Sequence, residues 1–442
     1  MRELIEVSAN YVMQPIKDIK LPIWDVIKFK QKCITCPTNF SVLENLHPLA
    51  VSHVTIVNSL GLGLTATLES LRTRRSGLVP CKFEDVDLEA YIAKVDALDG
   101  YRVRTNLSAY DCRNNRLAQL CLEQDGFADA ITAAKIRYGP GRVGVFLGTS
   151  TSGILQAELA YRHRDHLTGA LPPDFNYAET QNSYSLAGFV SRYLGLSGPS
   201  FVVSSACSSS AKVFANAVRM IAAGVCDAAV IGGVDSLCLS TLYGFHSLGL
   251  MSRFPCRPYD TERDGISLGE GAGFVLIERA TAVNSSNAIL LLGVGESSDA
   301  YHMSTPHPEG LGARLAMQRA LTSAGLQASE IDYINLHGTA TKSNDSSEGK
   351  AVADIFGNAV PCSSTKGWTG HLLGAAGITE AIIAMLAIEH GFVPGSMNTE
   401  RLDPAMTIDY RIENSDAVIK LVLSNSFGFG GSNCSIVLGR NS

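Results

Sequence analysis

Four separated stretches of this 442-residue chain carry side chains able to do covalent chemistry. The run Phe201-Val-Val-Ser-Ser-Ala-Cys207-Ser-Ser-Ser210 sets a thiol between an apolar strand-like segment and a helical pattern running through Lys212 to Arg219. A cysteine at such an elbow meets the unpaired N–H groups and dipole of a helix N-terminus, which favour the nucleophilic thiolate. Small neighbours (Ser205, Ala206, Ser208, Ser209) leave room for a substrate carbonyl to approach the backbone. Taken alone, the stretch fits a buried structural cysteine equally well. Three later stretches tip the balance: His337-Gly-Thr-Ala-Thr341, Lys366-Gly-Trp-Thr-Gly-His371 and Asn425-Ser-Phe-Gly-Phe-Gly-Gly-Ser-Asn433. One cysteine, two separated histidines and a late glycine-rich loop are the parts of an acyl-transfer site.

The elements that must position these groups alternate between strand and helix. The first core strand is His53–Val57, followed by the loop Ser59–Gly63 and a helix from Thr65 to Arg72. A helical pattern covers Ser108–Tyr138, and Arg142–Leu147 is a buried strand. The small turn Gly148–Gly153 lacks the five-residue spacing of a hydrolase elbow. Strands at Cys226–Val234 and Gly271–Glu278 complete a first series. A second series repeats the rhythm: strand Ala288–Gly293, helix Gly312–Gly325, strand Ile331–Leu336, helix Leu373–His390, and tail strands Val418–Leu423 and Cys434–Leu438. Two successive βα series predict two halves with parallel-rich sheets. The pattern Asp345-Ser-Ser-Glu348 reads as a capping box opening the helix after His337, in preference to a catalytic carboxylate pair.

Bulk properties bound the function. A hydrophobic share of 46% with 18% charged residues describes a chain with a substantial core. A formal net charge of −6 argues against nucleic acid as the main partner. The eleven cysteines have no framework spacing and read as reduced thiols of a cytoplasmic protein. Cys33 and Cys36 have C-x₂-C spacing but no second ligand pair nearby, so no metal site is expected there. The most membrane-like segment, Ala376–Val393, contains Glu380, Glu389 and His390 and reads as a buried helix rather than a span. Residues 1–48, interrupted by Pro15, Pro22 and Pro37, form an extension of unassigned role: an appendage, a leader or a partner-binding arm. The start carries acids and no clean apolar core, so no secretory signal is expected.

With these motifs assembled, the chain resembles the β-ketoacyl-ACP synthases of the thiolase-like superfamily over residues 50–440. The resemblance rests on Ser205-Ala-Cys207, Arg257-Pro-Tyr-Asp-Thr-Glu-Arg-Asp-Gly265 with Gly269-Glu-Gly-Ala-Gly273, His337–Thr341, Lys366–His371 with Gly374-Ala-Ala-Gly377, and Gly428-Phe-Gly-Gly431. It implies an α/β, five-layer αβαβα fold of two similar halves, 49–286 with the nucleophile and 287–442 with both histidines. Within the family, Tyr110-Asp-Cys-Arg-Asn-Asn115 and Cys207-Ser-Ser-Ser210 resemble the ketosynthases of aryl polyene pigment clusters.

The resemblance also implies roles. Cys207 accepts the acyl group, and His337 and His371 stabilise the enolate formed as malonyl-ACP loses its carboxylate. Lys366, paired with Glu380, tunes the field of the site. The backbone N–H groups of Cys207 and Phe429 form the oxyanion hole, and Phe429 is the gate. Thr339 and Thr341 bind the phosphopantetheine arm of the acyl carrier protein; no tightly bound cofactor and no metal are expected. Arg72, Arg74, Arg75 and Arg253 are the candidates for docking the acidic carrier. The other expected partner is a second subunit: another copy, a related ketosynthase or a chain-length factor. A fatty-acid elongating synthase is the nearest rival reading, and a non-catalytic chain-length-factor-like subunit is the rival of another class. A thiolase would place a second cysteine where this chain has Phe429.

Overall fold

The computed structural model describes residues 47–282 and 288–440. The expectations for Cys33 and Cys36, and for all of 1–48 except His47 and Pro48, lie outside the described residues. Chain order runs β1 (Leu49–Asn58), α1 (Gly63–Arg72), α2 (Arg113–Leu122), α3 (Phe127–Tyr138), β2 (Val143–Gly148), α4 (Ile154–Arg162), α5 (Tyr184–Leu194), β3 (Ser200–Val203), α6 (Ser209–Ala222), β4 (Ala228–Asp235), α7 (Leu239–Ser247) and β5 (Gly271–Arg279). It continues with β6 (Ile289–Ser298), α8 (Leu311–Ala324), β7 (Tyr333–Asn335), α9 (Lys342–Phe356), β8 (Pro361–Ser363), α10 (Ala376–His390), β9 (Asp409–Tyr410), β10 (Leu421–Gly428) and β11 (Ser432–Arg440).

The strands hydrogen-bond in the order β9-β8-β7-β10-β11-β6-β1-β5-β4-β2-β3. Each half repeats one pattern. In the first, β1 runs antiparallel to β5 and β5 to β4, while β4, β2 and β3 are parallel. In the second, β6 runs antiparallel to β11 and β11 to β10, while β10, β7 and β8 are parallel. The expected parallel-rich sheets are therefore mixed. The reason is local for β10 and β11: only the turn Phe429–Gly431 joins them, too short for the crossover a parallel pair requires. The halves meet where Leu49, Ala50 and Val51 of β1 pair with Leu291, Leu290 and Ile289 of β6.

Alternation along the strands builds five layers. Phe146, Ile231 and Val275 face a central core that also holds Val213, Phe214, Ile378 and Ile382 from α6 and α10. Val145, Val230 and Phe274 face outward onto α2, α3 and α5. In the second half Val422 and Ile436 turn inward, whereas Leu423 and Val437 pack on α8 and α9. Burial on both faces explains why these strands are almost unbroken apolar runs. Every residue of α10 from Ala376 to Ile388 is buried, so its apolar length reflects burial against both halves of the sheet. The helices α6 and α10 approach very closely: a β-carbon on Gly377 would lie 2.8 Å from the β-carbon of Ala211.

Three local expectations change. The helical stretch 108–138 is broken at Asp125 (φ +54°) and Gly126 (φ +67°), because the Asp125 carboxylate turns inward to take the Leu64 N–H and Thr55 hydroxyl. The tail strands are longer than expected, since the β10–β11 ladder pairs all the way to Gly428 and Ser432. Asp345-Ser-Ser-Glu348 is not a capping box: α9 begins earlier, at Lys342, and its N-cap is Thr341, whose hydroxyl accepts the Asn344 N–H.

Candidate active site

The Cys207 corner is made by β3 running into α6. Ala206 adopts φ +50°, a left-handed turn uncommon for a residue with a β-carbon, and this swings Cys207 out just before the helix. Serines hold the corner in place. Ser209 Oγ accepts the Ser205 N–H at 2.9 Å and donates to the Ala206 carbonyl, and Ser208 Oγ donates to the Ser205 carbonyl at 3.0 Å. Ser210 Oγ accepts the Ile378 N–H at 3.0 Å and so ties α6 to α10. The serine run that follows Cys207 is the lacing of this elbow.

His371 Nε2 stands 3.1 Å from Cys207 Sγ. Its other nitrogen, Nδ1, faces the Leu373 N–H at 3.3 Å and must accept from it, which leaves the proton on Nε2. The same logic holds for His337. Lys366 Nζ sits 3.2 Å from its Nδ1, and an ammonium can only donate. Both imidazoles thus present Nε2–H donors, with ring centroids 5.4 Å apart at an interplanar angle of 82°. The ligand-type atoms of Cys207, His337 and His371 lie within 4.8 Å of one another. In this tautomer, however, they are N–H donors facing a thiol, not lone pairs facing a cation.

Burial sets the charge states. It drives both histidines well below the usual imidazole range, reinforced by the Lys366 ammonium, so they are neutral. It pushes the Cys207 thiol up to about 11, although Lys366 and the Phe429 N–H pull the other way. The thiolate expected from the helix terminus is therefore outweighed by desolvation in the resting site. Lys366 is itself buried and bonds the Glu380 carboxylate, whose pKa burial raises to about 7, against the pull of Lys366.

The supposed capping carboxylates lie beneath the His337 loop. Glu348 accepts the His337 and Gly338 N–H groups, each at 2.8 Å, and the Asn425 side-chain amide at 3.1 Å. Asp345 accepts the Tyr259 N–H at 2.8 Å. Their spacing from the His337 motif was visible in the sequence; their inward orientation was not.

Gly428 brings the glycine-rich turn against the Cys207 corner, where a β-carbon would lie 2.8 Å from the Ser205 carbonyl oxygen. The Phe429 N–H points at Cys207, while its ring packs 5.7 Å from Phe245, an aromatic partner the sequence reading missed. Thr339 and Thr341 line the same cavity with their hydroxyls 2.9 Å apart. The arginines divide. Arg72 bonds Asp416 and the His390 carbonyl, Arg74 pairs with Glu413, and Arg75 bonds Ser70. None of the three lines the cavity. Arg253 is exposed, three residues beyond the cavity-lining Leu250.

The layered repeat with a Cys–His–His corner is the thiolase-like ketosynthase fold. The family profile for the N-terminal domain of beta-ketoacyl synthase matches residues 64–282, and that for the C-terminal domain residues 289–400. The 3-oxoacyl-acyl-carrier-protein synthase 2 of Vibrio cholerae is 30% identical over 418 residues, covering 89% of this chain and 99% of that protein. The protein of the same name from Coxiella burnetii is 36% identical over 318 residues, covering 68% and 75%. The solved ketosynthase ApeO from Xenorhabdus doucetiae, in complex with its chain length factor ApeC, superposes with a TM-score of 0.81 at 35% identity, covering 89% of this chain and 98% of that one. This chain belongs to the β-ketoacyl synthase family.

Proposed function

We propose that this protein is a condensing acyltransferase that joins an acyl group held on Cys207 to a malonyl unit held on an acyl carrier protein. The observation that carries this reading is the convergence of a thiol and two neutral Nε2–H donors in one cavity, with His371 Nε2 3.1 Å from Cys207 Sγ. In the first half-reaction Sγ attacks the acyl thioester, and the oxyanion sits between the N–H groups of Cys207 and Phe429. The pantetheine sulfur departs with the proton that the thiol gives up. In the second, the carboxylate of malonyl-carrier leaves as CO₂, or as bicarbonate where a water adds to it and gives up a proton, while His337 and His371 donate to the thioester oxygen as it becomes an enolate. The enolate carbon attacks the acyl carbon, a β-ketoacyl carrier is released, and the Cys207 thiolate regains a proton.

Thr339 and Thr341 would hold the phosphopantetheine arm, and Lys366 with Glu380 would keep His337 oriented. The carrier would dock at the cavity mouth beside Arg253, since Arg72, Arg74 and Arg75 are engaged elsewhere. We place the reaction in the cytoplasm.

The resemblance carried by Tyr110–Asn115 and Cys207–Ser210 supports elongation of an aryl polyene chain, and similarity to the Xenorhabdus ketosynthase, solved with its chain length factor, supports a chain-length-factor subunit as partner. Similarity to the Vibrio 3-oxoacyl-acyl-carrier-protein synthase 2 favours fatty-acid elongation as the second reading. Competition between an aryl-dienoyl carrier and a saturated carrier of equal length, read as acyl mass on Cys207, decides between them. A stiff chain loses less rotational entropy on entry, so the polyene reading expects the dienoyl adduct to dominate. A dominant saturated adduct would return the protein to fatty-acid synthesis.

A further inference from the structure

Asp235, the last residue of β4, is fully buried and belongs to the half that carries Cys207. Its carboxylate accepts the Thr149 hydroxyl at 2.6 Å, the Ser150 N–H at 2.8 Å, and the Thr151 N–H and hydroxyl at 2.9 Å each; the Ser150 hydroxyl also bonds it. These contacts stay within the first half. One does not: the Gly374 N–H donates to Asp235 at 2.6 Å from the opposite half.

Gly374 follows Leu373, which is held at φ +50°. That corner aims the Leu373 N–H at His371 Nδ1, and His371 Nε2 at Cys207 Sγ. A left-handed turn on a leucine is strained and persists only where its surroundings enforce it. The Gly374 N–H holds it from outside the loop, donating to Asp235 at 2.6 Å and reaching Ser150 Oγ, itself bonded to Asp235, at 3.3 Å. We propose that Asp235 is a positioning residue: by anchoring the Leu373–Gly374 corner across the two halves, it selects the His371 tautomer that presents Nε2–H to the reacting sulfur and thioester. The proposal rests on the condensing reading only for its kinetic arm, because the tautomer can be observed without substrate.

The test uses the full chain with ¹⁵N-labelled histidine, His371 being assigned by the loss of its signals in His371→Ala. Wild type should show a pyridine-like Nδ1 and a pyrrole-like Nε2 at His371. Asp235→Asn places an amide where a multiple acceptor stood and should mix or reverse these signals. It should also lower kcat for malonyl-carrier decarboxylation about 10-fold, with KM unchanged and acylation of Cys207 altered less than about 3-fold. Gly374→Ala attacks the contact from the other side, since its methyl would lie 2.8 Å from Asp235 Oδ2. It should give the same signature, and it carries the test should Asp235→Asn fail to fold. A wild-type His371 tautomer in a folded variant overturns the proposal whatever the rates. A shifted tautomer in a protein that never acylates Cys207 would instead preserve the proposal and remove the condensing reading.

Discussion

The two halves share a strand pattern, and each carries a site residue where a strand gives way to a central helix, Cys207 in the first and His371 in the second, yet the two junctions are built differently. Residues 204–208 lead directly from β3 into α6, and Cys207 sits in a tight elbow. Residues 364–375 link β8 to α10 through two short helical turns, Lys366–Thr369 and Leu373–Ala375, and that longer path carries both Lys366 and His371. A short corner suits a nucleophile, which needs only exposure to an incoming carbonyl. A longer one suits a hydrogen-bond donor, whose second nitrogen must also be held. Burial acts on both junctions in the same sense, toward the uncharged form: a thiol that keeps its proton and an imidazole that refuses one.

The strongest way to separate the junctions is to disable one of them. Cys207→Ala should abolish condensation and leave no acyl mass on the enzyme; condensation retained by the purified variant would overturn the assignment. Cys207→Gln, whose amide imitates the acyl thioester, should decarboxylate malonyl-carrier without condensing. Disabling the donor side costs less. His337→Ala or His371→Ala should cut decarboxylation by about 10²-fold or more, with acylation of Cys207 affected less. Wild-type condensation by both variants would break the comparison.

The charge states give a pH test. Because burial holds the Cys207 thiol up to about 11, its alkylation should rise as pH rises, roughly tenfold per unit below that value as thiolate accumulates. Lys366 lowers this pKa, so Lys366→Met should slow alkylation at any given pH within the rising limb. A pH-independent rate between 7 and 9 would mean the helix terminus wins after all. The smallest effect belongs to the mouth. Arg253→Glu should raise KM for carrier-bound substrate several-fold, spare small thioester mimics, and lose its effect in high salt.

Much of this was legible because the motifs report backbone events. The glycines of the Gly428–Gly431 turn and the small residues around Cys207 marked places where chains must approach closely, and the repeated rhythm marked the duplicated layers. Charge state was not legible: a helix terminus can be read from sequence, whereas the burial that overrides it depends on which layers close over the site. Glu348 shows the same limit. Three residues after Asp345 it fits a capping pattern, and only the packing of α9 turns it beneath His337. Asp235 belongs to no motif that sequence could single out, and only the fold covers this strand end with Thr149–Thr151 and Gly374.

The near-contact of Gly377 with Ala211 reaches beyond packing. The reactive sulfur and nitrogen ride at the front ends of two abutting rods, so their separation is gauged by the thickness of whatever lies between those rods. Here that thickness is a hydrogen atom on Gly377 facing the methyl of Ala211. A single added methyl at position 377 would act as a shim, opening a gap six residues from His371 without touching any reacting group. Clearance at that crossing, and not only the identity of the reacting side chains, sets the tolerance to which the site is assembled.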